Sequence, residues 1–370
     1  MLPAKTSRPG FLLITACVVA ACPADGDGAR QPADGRPASR AIERPAQPEW
    51  ETRVEVIEPL AEALAFRAGG GLIALLAEAP LSTWKFSFDR PASPSGGRVR
   101  PEGLANEPWI GVPSDIVGVS AQGVPWYLEP QTGRITSEDI GANRRVITHL
   151  RTLGRARTGC VLGDSAIAFL DDARPRYVFI QSLGQPPAMD SLSFPAGIVD
   201  DRRVRWTDLR FGGSFHGPCV LWAPAMPSVA VVSGSSVHAL GPFVEPLTDE
   251  SRRSRMVRWI TRAPPPAGAL DATSFPGGVA VLYAGRSPRA GRLVDLYSVD
   301  GLHLETIVLA RTALRIAGSR HRLFVLSHEG DSTMLASYLL PRTVRSSMPD
   351  HPGSLVVPPR PAADSVSASG

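Results

Sequence analysis

The sequence has 370 residues, of which 36 are proline, 35 are glycine and 20% are charged. Proline and glycine together make up about a fifth of the chain, well above average usage, while the 43% hydrophobic content is enough for a folded core. This composition excludes a disordered chain, a collagen and a coiled coil, and it favours many short β-strands separated by turns. The formal net charge of +4 is small, and nothing in the sequence indicates the concentrated basic face that nucleic-acid binding needs, so we expect no nucleic-acid partner.

The N-terminal segment has the pattern of an export signal. Lys5 and Arg8 precede an apolar run at residues 11–21, which is shorter than the roughly 20 apolar residues that a membrane-spanning helix needs. The run ends in the sequence VAAC at residues 19–22, which resembles the bacterial lipobox. The resemblance implies cleavage before Cys22 and a diacylglycerol or other acyl lipid on that residue. Apart from this lipid we expect no cofactor, unless the protein is the metal-dependent enzyme considered below. An ordinary secretory peptide cleaved elsewhere is the alternative.

The composition divides the chain into four parts. Residues 1–21 are the predicted lipoprotein signal peptide, and residues 22–48, rich in Pro, Ala, Gly and Asp, are a predicted flexible tether. Residues 49–345 are predicted to form one folded domain, and residues 346–370 a C-terminal tail that is mostly disordered. We therefore expect an exported protein that is lipid-anchored to the cell envelope, on its periplasmic or extracellular side.

Short apolar runs recur through the predicted domain, about 40–60 residues apart. They are too short for helices and are bounded by Gly, Ser or Pro, so they predict strands. A unit of this length with several strands is typical of a β-propeller blade. The second run contains Pro125 and fits least well. The six runs are residues 72–76, 124–128, 167–170, 229–232, 279–283 and 323–326.

The unit that begins at residue 279 has the pattern of a complete blade. Its later part places an Asp-Gly pair between two alternating strands, which predicts a hairpin because the turn needs positive φ. The pattern D-x-Y-x-x-D-G-x-x-L from Asp295 to Leu304 resembles the outer hairpins of bacterial six-bladed β-propellers of the NHL and TolB-like kind. The resemblance covers about residues 51–342 and implies an all-β, six-bladed β-propeller. A β-sandwich or a mixed α+β fold is the structural alternative.

The two chain ends offer rival strands for closing such a ring. A propeller closes when strands from both ends of the chain pair within one blade. Residues 52–57 alternate between polar and apolar side chains and predict the outer strand of the last blade. Residues 354–357 are the rival segment.

After processing, Cys160 and Cys219 are the cysteines left without a lipid, in an oxidising compartment. Each is followed by Val-Leu, which suggests equivalent points of two successive repeats that lie close in space. Both a disulfide and a pair of buried free thiols fit this pattern.

No catalytic motif is complete in this sequence. Residues 118–122 and 212–216 lack the last Gly of a G-x-S-x-G elbow, and His328-Glu329 lacks the second His of H-E-x-x-H. A propeller nevertheless brings one loop of each blade to the mouth of its central channel. Residues just before the innermost strands are therefore the candidates for a site. These channel-mouth candidates are Asp115, Arg157, His216, Asp271 and Arg315.

Two functions fit this architecture. The first is a non-catalytic, membrane-tethered module that binds a small-molecule or protein ligand at one face of the ring, or acts as a scaffold. The second is a lactonase-like hydrolase or a lyase, whose propeller relatives hold a metal such as Ca or Zn in the channel with acidic residues, Asn or His. Asn106 and Asn143 are the only asparagines and have no evident metal-ligand companions. The sequence thus favours the binding role, with no catalytic residue and no metal ligand assigned.

Overall fold

The computed structural model describes residues 43–54, 63–77, 82–87, 115–138, 144–163, 165–184, 186–194, 208–214, 217–223, 229–234, 236–240, 269–283, 291–330 and 332–341. Within these ranges, 24 β-strands form six sheets. None of the described residues belongs to a helix that is long and apolar enough to cross a membrane. The predicted signal peptide, Cys22, His216 and the C-terminal tail lie outside the described residues.

The sheets follow one another along the chain, and neighbouring strands within each meander are antiparallel. After the N-terminal strands β1 (Glu43–Pro45) and β2 (Trp50–Val54), the first three sheets contain β3 (Ala63–Gly69), β4 (Leu72–Ala77) and β5 (Ser82–Ser87); β6 (Asp115–Val119), β7 (Pro125–Glu129), β8 (Arg134–Glu138) and β9 (Arg144–His149); and β10 (Ala156–Leu162), β11 (Ala166–Asp171), β12 (Tyr177–Ser182) and β13 (Met189–Ser193).

The last three sheets continue the same pattern to the end of the described chain. They contain β14 (Arg210–Gly212), β15 (Cys219–Trp222), β16 (Val229–Ser233) and β17 (Ser236–Leu240); β18 (Ala269–Phe275), β19 (Gly278–Tyr283), β20 (Leu293–Ser298) and β21 (His303–Val308); and β22 (Ala313–Gly318), β23 (Arg322–Glu329) and β24 (Ser332–Leu339).

The first strand of each meander lies at the centre of the molecule. These inner strands contact one another in the order β3, β6, β10, β14, β18 and β22, and β22 contacts β3 in turn. The closed cycle confirms the predicted all-β, six-bladed β-propeller, and the sandwich and mixed α+β alternatives are wrong. Pro125 is the first residue of β7, a position at which a sheet tolerates proline, so the second unit is a regular blade.

The apolar runs in the sequence are strands that are buried on both faces. On β4, Ile73 and Leu75 pack with residues of the sixth blade, whereas Ala74 and Leu76 pack with residues of the second blade. Continuous apolar runs, rather than an alternating pattern, are therefore the expected signal. Five of the six predicted runs are second strands of a blade. The run at residues 229–232 is instead the third strand, β16. The second strand of that blade, β15, is missing from the sequence prediction.

The N-terminal segment closes the ring. β2 pairs antiparallel with β24, with Trp50 opposite Ser337, which confirms residues 52–54 of the predicted closing strand. Residues 55–57 and the rival segment 354–357 lie outside the described residues. The preceding strand β1 adds in parallel to β21 of the fifth blade, so this segment joins two blades. The paired residues thus begin at Glu43, within the segment that the sequence assigns to the tether. Arg322 also pairs with Glu49 through two contacts of 2.9 and 3.2 Å.

A disulfide joins the third and fourth blades. Cys160 on β10 and Cys219 on β15 are bonded, with their Cα atoms 5.8 Å apart. The two residues do not occupy equivalent points of successive repeats, because β10 is an inner strand and β15 is a second strand. The similar Cys-Val-Leu contexts therefore reflect burial of both segments rather than a shared place in the repeat.

Glycine allows the inner strands to approach closely at the centre of the ring. A Cβ atom on Gly212 of β14 would lie 1.7 Å from the carbonyl oxygen of Ala272 on β18. A Cβ atom on Gly318 of β22 would lie 2.0 Å from the carbonyl oxygen of Ser274 on the same neighbour. Both distances are far inside van der Waals contact, so a larger residue at either position would force two blades apart.

Candidate functional site

A polar pocket lies at the centre of the ring, where the inner strands begin. Every blade contributes to its lining, and its volume is about 130 Å³. This volume holds several water molecules or one small ion. The charged residues of the lining are Arg67, Asp115, Arg157, Arg210, Asp271 and Arg315.

Four of the five channel-mouth candidates line this pocket. Asp115 is the first residue of β6, Arg157 is the second residue of β10, and Asp271 and Arg315 are the third residues of β18 and β22. They thus lie inside the first half of the inner strands rather than just before them. His216 is outside the described residues.

Two arginines of the pocket were not predicted from the sequence. Arg67 is the only charged residue of β3 and is 4% exposed, and Arg210 begins the short strand β14. A charged residue inside an otherwise apolar strand was the available signal for Arg67, because a buried charge needs a specific reason. No comparable signal marks Arg210, which follows a segment without a recognisable strand pattern.

Arg67 connects three blades through its guanidinium group. It donates to the carbonyl oxygens of Phe66, at 3.1 Å, and of Phe211 on the fourth blade. Its Nη2 also lies 3.6 Å from Oδ1 of Asp115 on the second blade. Its Nε has no hydrogen-bond partner among the described residues.

Asp115 links the second blade to the third. Its Oδ2 accepts from the Thr158 hydroxyl at 2.5 Å and from the Gly159 N–H at 3.2 Å. The Thr158 hydroxyl in turn accepts the N–H of Phe211 at 3.0 Å, which extends the network to the fourth blade. Burial raises the pKa of the Asp115 carboxyl, and the Arg67 charge and the Thr158 hydrogen bond oppose that rise.

Asp271 has the same role between the fifth and sixth blades. Its Oδ2 accepts the N–H of Ile316 at 2.8 Å, and its Oδ1 accepts the N–H of Ala272 at 2.9 Å. Burial raises the pKa of this carboxyl as well, and the Arg315 charge is the main opposing influence. Both pocket carboxylates are therefore engaged in joining inner strands.

The arginines give the pocket an excess of positive charge. Four guanidinium groups face two carboxylates, and arginine stays protonated in proteins. Burial lowers the pKa of Arg315; Asp271 raises it, and the nearby charges of Arg210 and Arg67 lower it further. Arg157 lies at the rim with its side chain 34% exposed, and its Nε is 3.4 Å from Oδ1 of Asp172.

The donor set of the pocket suits an anion better than a metal ion. In the part of the chain that the structure describes, no three His, Cys, Asp or Glu side chains are grouped as metal ligands. The pocket carboxylates already accept backbone N–H groups, and the surrounding guanidinium charges repel a divalent cation. N–H donors from arginine are instead the partners that carboxylates and phosphates prefer.

Comparisons with known proteins give no information beyond the fold. No family model matches the sequence. No curated protein matches it either. Among solved structures, the chain is similar to a protein of unknown function from Bacteroides thetaiotaomicron, with 8% identity over 76% of this chain and 71% of that chain and a TM-score of 0.46. It is also similar to a virginiamycin B lyase from Staphylococcus aureus, with 10% identity over 78% of this chain and 88% of that chain and a TM-score of 0.42.

The class of this protein is therefore defined by its own architecture. It is a six-bladed β-propeller, closed by an N-terminal strand, with a cationic pocket at the centre of its ring.

Proposed function

We propose that this protein is a non-catalytic binding module of the cell envelope, tethered to a membrane, that holds a small ligand in its central pocket. One observation carries the binding role: side chains from all six blades line a single polar pocket. A set of residues drawn from six separate repeats forms a site that only the completed ring contains. The pocket is too small for a protein segment to enter, so the proposed ligand is a small molecule.

Unused hydrogen-bond donors in the lining support a ligand rather than a purely structural role. Arg67 Nε and Trp222 Nε1 are buried without a hydrogen-bond partner among the described residues. Their residues are 4% and 3% exposed. A buried donor left unpaired costs about 1–3 kcal/mol, so the lining is not arranged for stability alone.

The binding role is tested by ligand-observed NMR, in which the full chain is mixed with each member of a panel of small neutral, cationic and anionic molecules. Arg210→Trp fills the pocket with an uncharged ring, so it should abolish binding of a pocket ligand of any charge. Arg176→Trp is the matched control, because Arg176 is exposed and does not line the pocket. A ligand that binds the wild type and the control but not Arg210→Trp supports the proposal. Binding by no molecule, or equally by all three proteins, contradicts it.

The membrane tether is proposed from the lipobox-like residues 19–22 alone. A lipid on Cys22 would place the propeller outside the cytoplasm, at the surface of a membrane. Two or three acyl chains anchor a protein stably, whereas one chain does not. Cys22→Ala should move the protein from the membrane fraction to the soluble fraction of the cell envelope. Unchanged membrane retention of that variant contradicts the tether and leaves the binding role untouched.

A further inference from the structure

We propose that the loops before β10 and β12 form a docking surface for an acidic segment of a partner protein. Both loops lie at the end of the ring where the inner strands begin. The inference goes beyond the proposed function, because it concerns the outer surface of the second and third blades and holds whether or not the pocket binds a ligand. This arginine surface consists of Arg151, Leu153, Arg155, Arg174, Arg176 and Tyr177.

Two buried side chains of the third blade fix the loop between β9 and β10. Oε1 of Gln181 accepts the N–H of Arg151 at 2.8 Å. Asp171 accepts the N–H of Leu153 at 2.6 Å and, in the second loop, that of Ala173 at 2.9 Å. The two loops are therefore held against each other. A surface that is fixed in this way loses less conformational entropy on binding than a flexible one.

The arginine surface lies in a local excess of positive charge. Residues 151–157 and 171–177 contain five arginines and two aspartates, which leaves a formal charge of +3, compared with +4 for the whole chain. Asp171 is buried with both oxygens hydrogen-bonded to N–H groups, and Oδ1 of Asp172 lies 3.4 Å from Nε of Arg157. The other four arginines are exposed, and their side chains form no ion pair or hydrogen bond with any described residue. An acidic partner is therefore the complementary one.

At two other places on the molecule, arginines are paired with carboxylates. Arg311 lies 2.6 Å from Glu329 and 3.3 Å from Glu51, and Arg322 lies 2.9 Å from Glu49. These charges are neutralised within the protein. The arginine surface differs from both places, because its charge faces solvent and is open to a partner.

Apolar side chains lie among these arginines. Leu153 is 67% exposed and stands between Arg151 and Arg155 in the same loop. Tyr177 is 41% exposed and directly follows Arg176. Tyrosine and arginine are enriched in protein–protein interfaces and in their energetically important positions. A segment that carries both acidic and apolar side chains can contact both kinds of group at once.

The placement of Tyr177 favours a protein partner over an anionic membrane. Its ring lies 6.4 Å from that of Phe179, centroid to centroid, so it lies against the third blade. A loop that binds a membrane inserts its apolar side chains below the level of the charged headgroups. Within the arginine surface, Leu153 is then the one large apolar side chain placed to insert, whereas a peptide can cover both residues.

The test is fluorescence anisotropy of labelled peptides titrated with the full chain. The acidic probe is an unstructured peptide of Glu, Leu and Gly, and in its two counterparts Gln or Lys replaces every Glu. We expect the acidic probe to bind at least tenfold more tightly than either counterpart. Its affinity should fall as salt is added, because salt screens exposed charges. Absence of binding, or a counterpart that binds as tightly as the acidic probe, overturns the inference.

A pair of charge-reversal variants locates the binding. The double variant Arg151→Glu, Arg174→Glu places a repulsive charge on both loops and should weaken binding of the acidic probe at least tenfold. The double variant Arg145→Glu, Arg320→Glu makes the same change in net charge at exposed positions outside the arginine surface, so it should bind as the wild type does. Equal affinity of the two double variants overturns the inference.

An apolar variant keeps the test informative if a charge-reversal variant does not fold. Leu153→Ser leaves the charge unchanged and should weaken binding of the acidic probe at least threefold, because the exposed leucine is expected to be covered in the complex. A probe in which Gly replaces every Leu should bind the variant and the wild type equally. If Leu153→Ser binds the acidic probe as tightly as the wild type does, the attraction is one of charge alone and the inference is wrong.

Two other polyanions and a pocket variant distinguish the remaining outcomes. Phosphatidylglycerol vesicles or a DNA duplex that bind more tightly than the acidic probe, and are lost in Arg151→Glu, Arg174→Glu, assign the surface to another class of partner and overturn the inference. Arg210→Trp changes no residue of the arginine surface and should bind the acidic probe as the wild type does. Loss of the probe in Arg210→Trp would place its binding in the pocket, so the proposed function would stand and this inference would fail.

Discussion

Asp271 on β18 accepts the backbone N–H of Ile316 on β22 at 2.8 Å, so a buried carboxylate joins the fifth and sixth blades. Burial raises the pKa of this carboxyl above its ordinary value of 3.8, and Arg315 and the N–H groups of Ile316 and Ala272 offset the rise only in part. The native state therefore keeps a proton on Asp271 at pH values at which the unfolded chain has lost it. By linkage, the free energy of unfolding falls as the pH rises from 3.8 through the folded pKa.

Replacement of Asp271 by Asn should remove this pH dependence. The free energy of unfolding of the wild type minus that of Asp271→Asn is expected to decrease as the pH rises above 3.8, because only the wild type must ionise a buried carboxyl. Urea unfolding of both proteins across that range measures the difference. Asp300→Asn, at an exposed turn, controls for loss of a carboxylate in general. A difference that stays constant or increases with pH contradicts the prediction.

Gly212 is expected to be intolerant of any side chain. A Cβ atom there would lie 1.7 Å from the Ala272 carbonyl oxygen, which is backbone and has no rotamer by which to move away. Gly212→Ala should lower the free energy of unfolding by about 3 kcal/mol or more. Gly184→Ala is the control, since nothing lies within 4 Å of its added Cβ, and it should change stability by less than about 1 kcal/mol. Similar stabilities of the two variants in chemical denaturation contradict the close packing of β14 and β18.

The disulfide should contribute substantially to stability. It closes a loop with a sequence separation of 59, for which chain entropy gives a loss of about 4 kcal/mol on reduction. Urea unfolding with and without a reductant should show this loss in the wild type. The double variant Cys160→Ala, Cys219→Ala should unfold at one denaturant concentration in both conditions. If free thiols appear in the reduced sample and the wild type still has the same free energy of unfolding with and without reductant, the prediction is wrong.

Local signals allowed much of the fold to be predicted. Gly301 has a φ of +86°, as its place in an Asp-Gly turn requires, and the hairpin of β20 and β21 follows around it. The apolar runs were visible because second strands are buried on both faces. The disulfide pairing was harder to assign, since Cys160 and Cys219 have similar neighbours but belong to different strands of their blades.

The site was less predictable, because it depends on the register of the inner strands. The pairing of β10 with β11 shifts between Ala156 and Gly159, and that of β22 with β23 shifts between Ala313 and Arg315. A one-residue bulge decides which side chain faces the channel, and no sequence pattern marks it. Arg67 illustrates a second difficulty. Its partners Asp115 and Phe211 are distant in sequence, so its role emerges only when the ring is closed.

Trp50 should be the residue that fastens the closing strand. Its ring lies 6.2 Å from that of Phe324, centroid to centroid, and packs against the core shared by the first and sixth blades. Trp50→Ala should lower the free energy of unfolding by about 2–3 kcal/mol, because it removes much of the apolar contact that β2 makes with the ring. Arg53→Ala is the control, since Arg53 lies on the same strand and is exposed. Limited proteolysis provides a second measurement, because a loosened β2 exposes the edge of β24 and should be cleaved before the rest of the domain unfolds. If Trp50→Ala is cleaved only at the rate of global unfolding, then β2 is held chiefly by its hydrogen bonds to β24, and the fastening role of Trp50 is wrong.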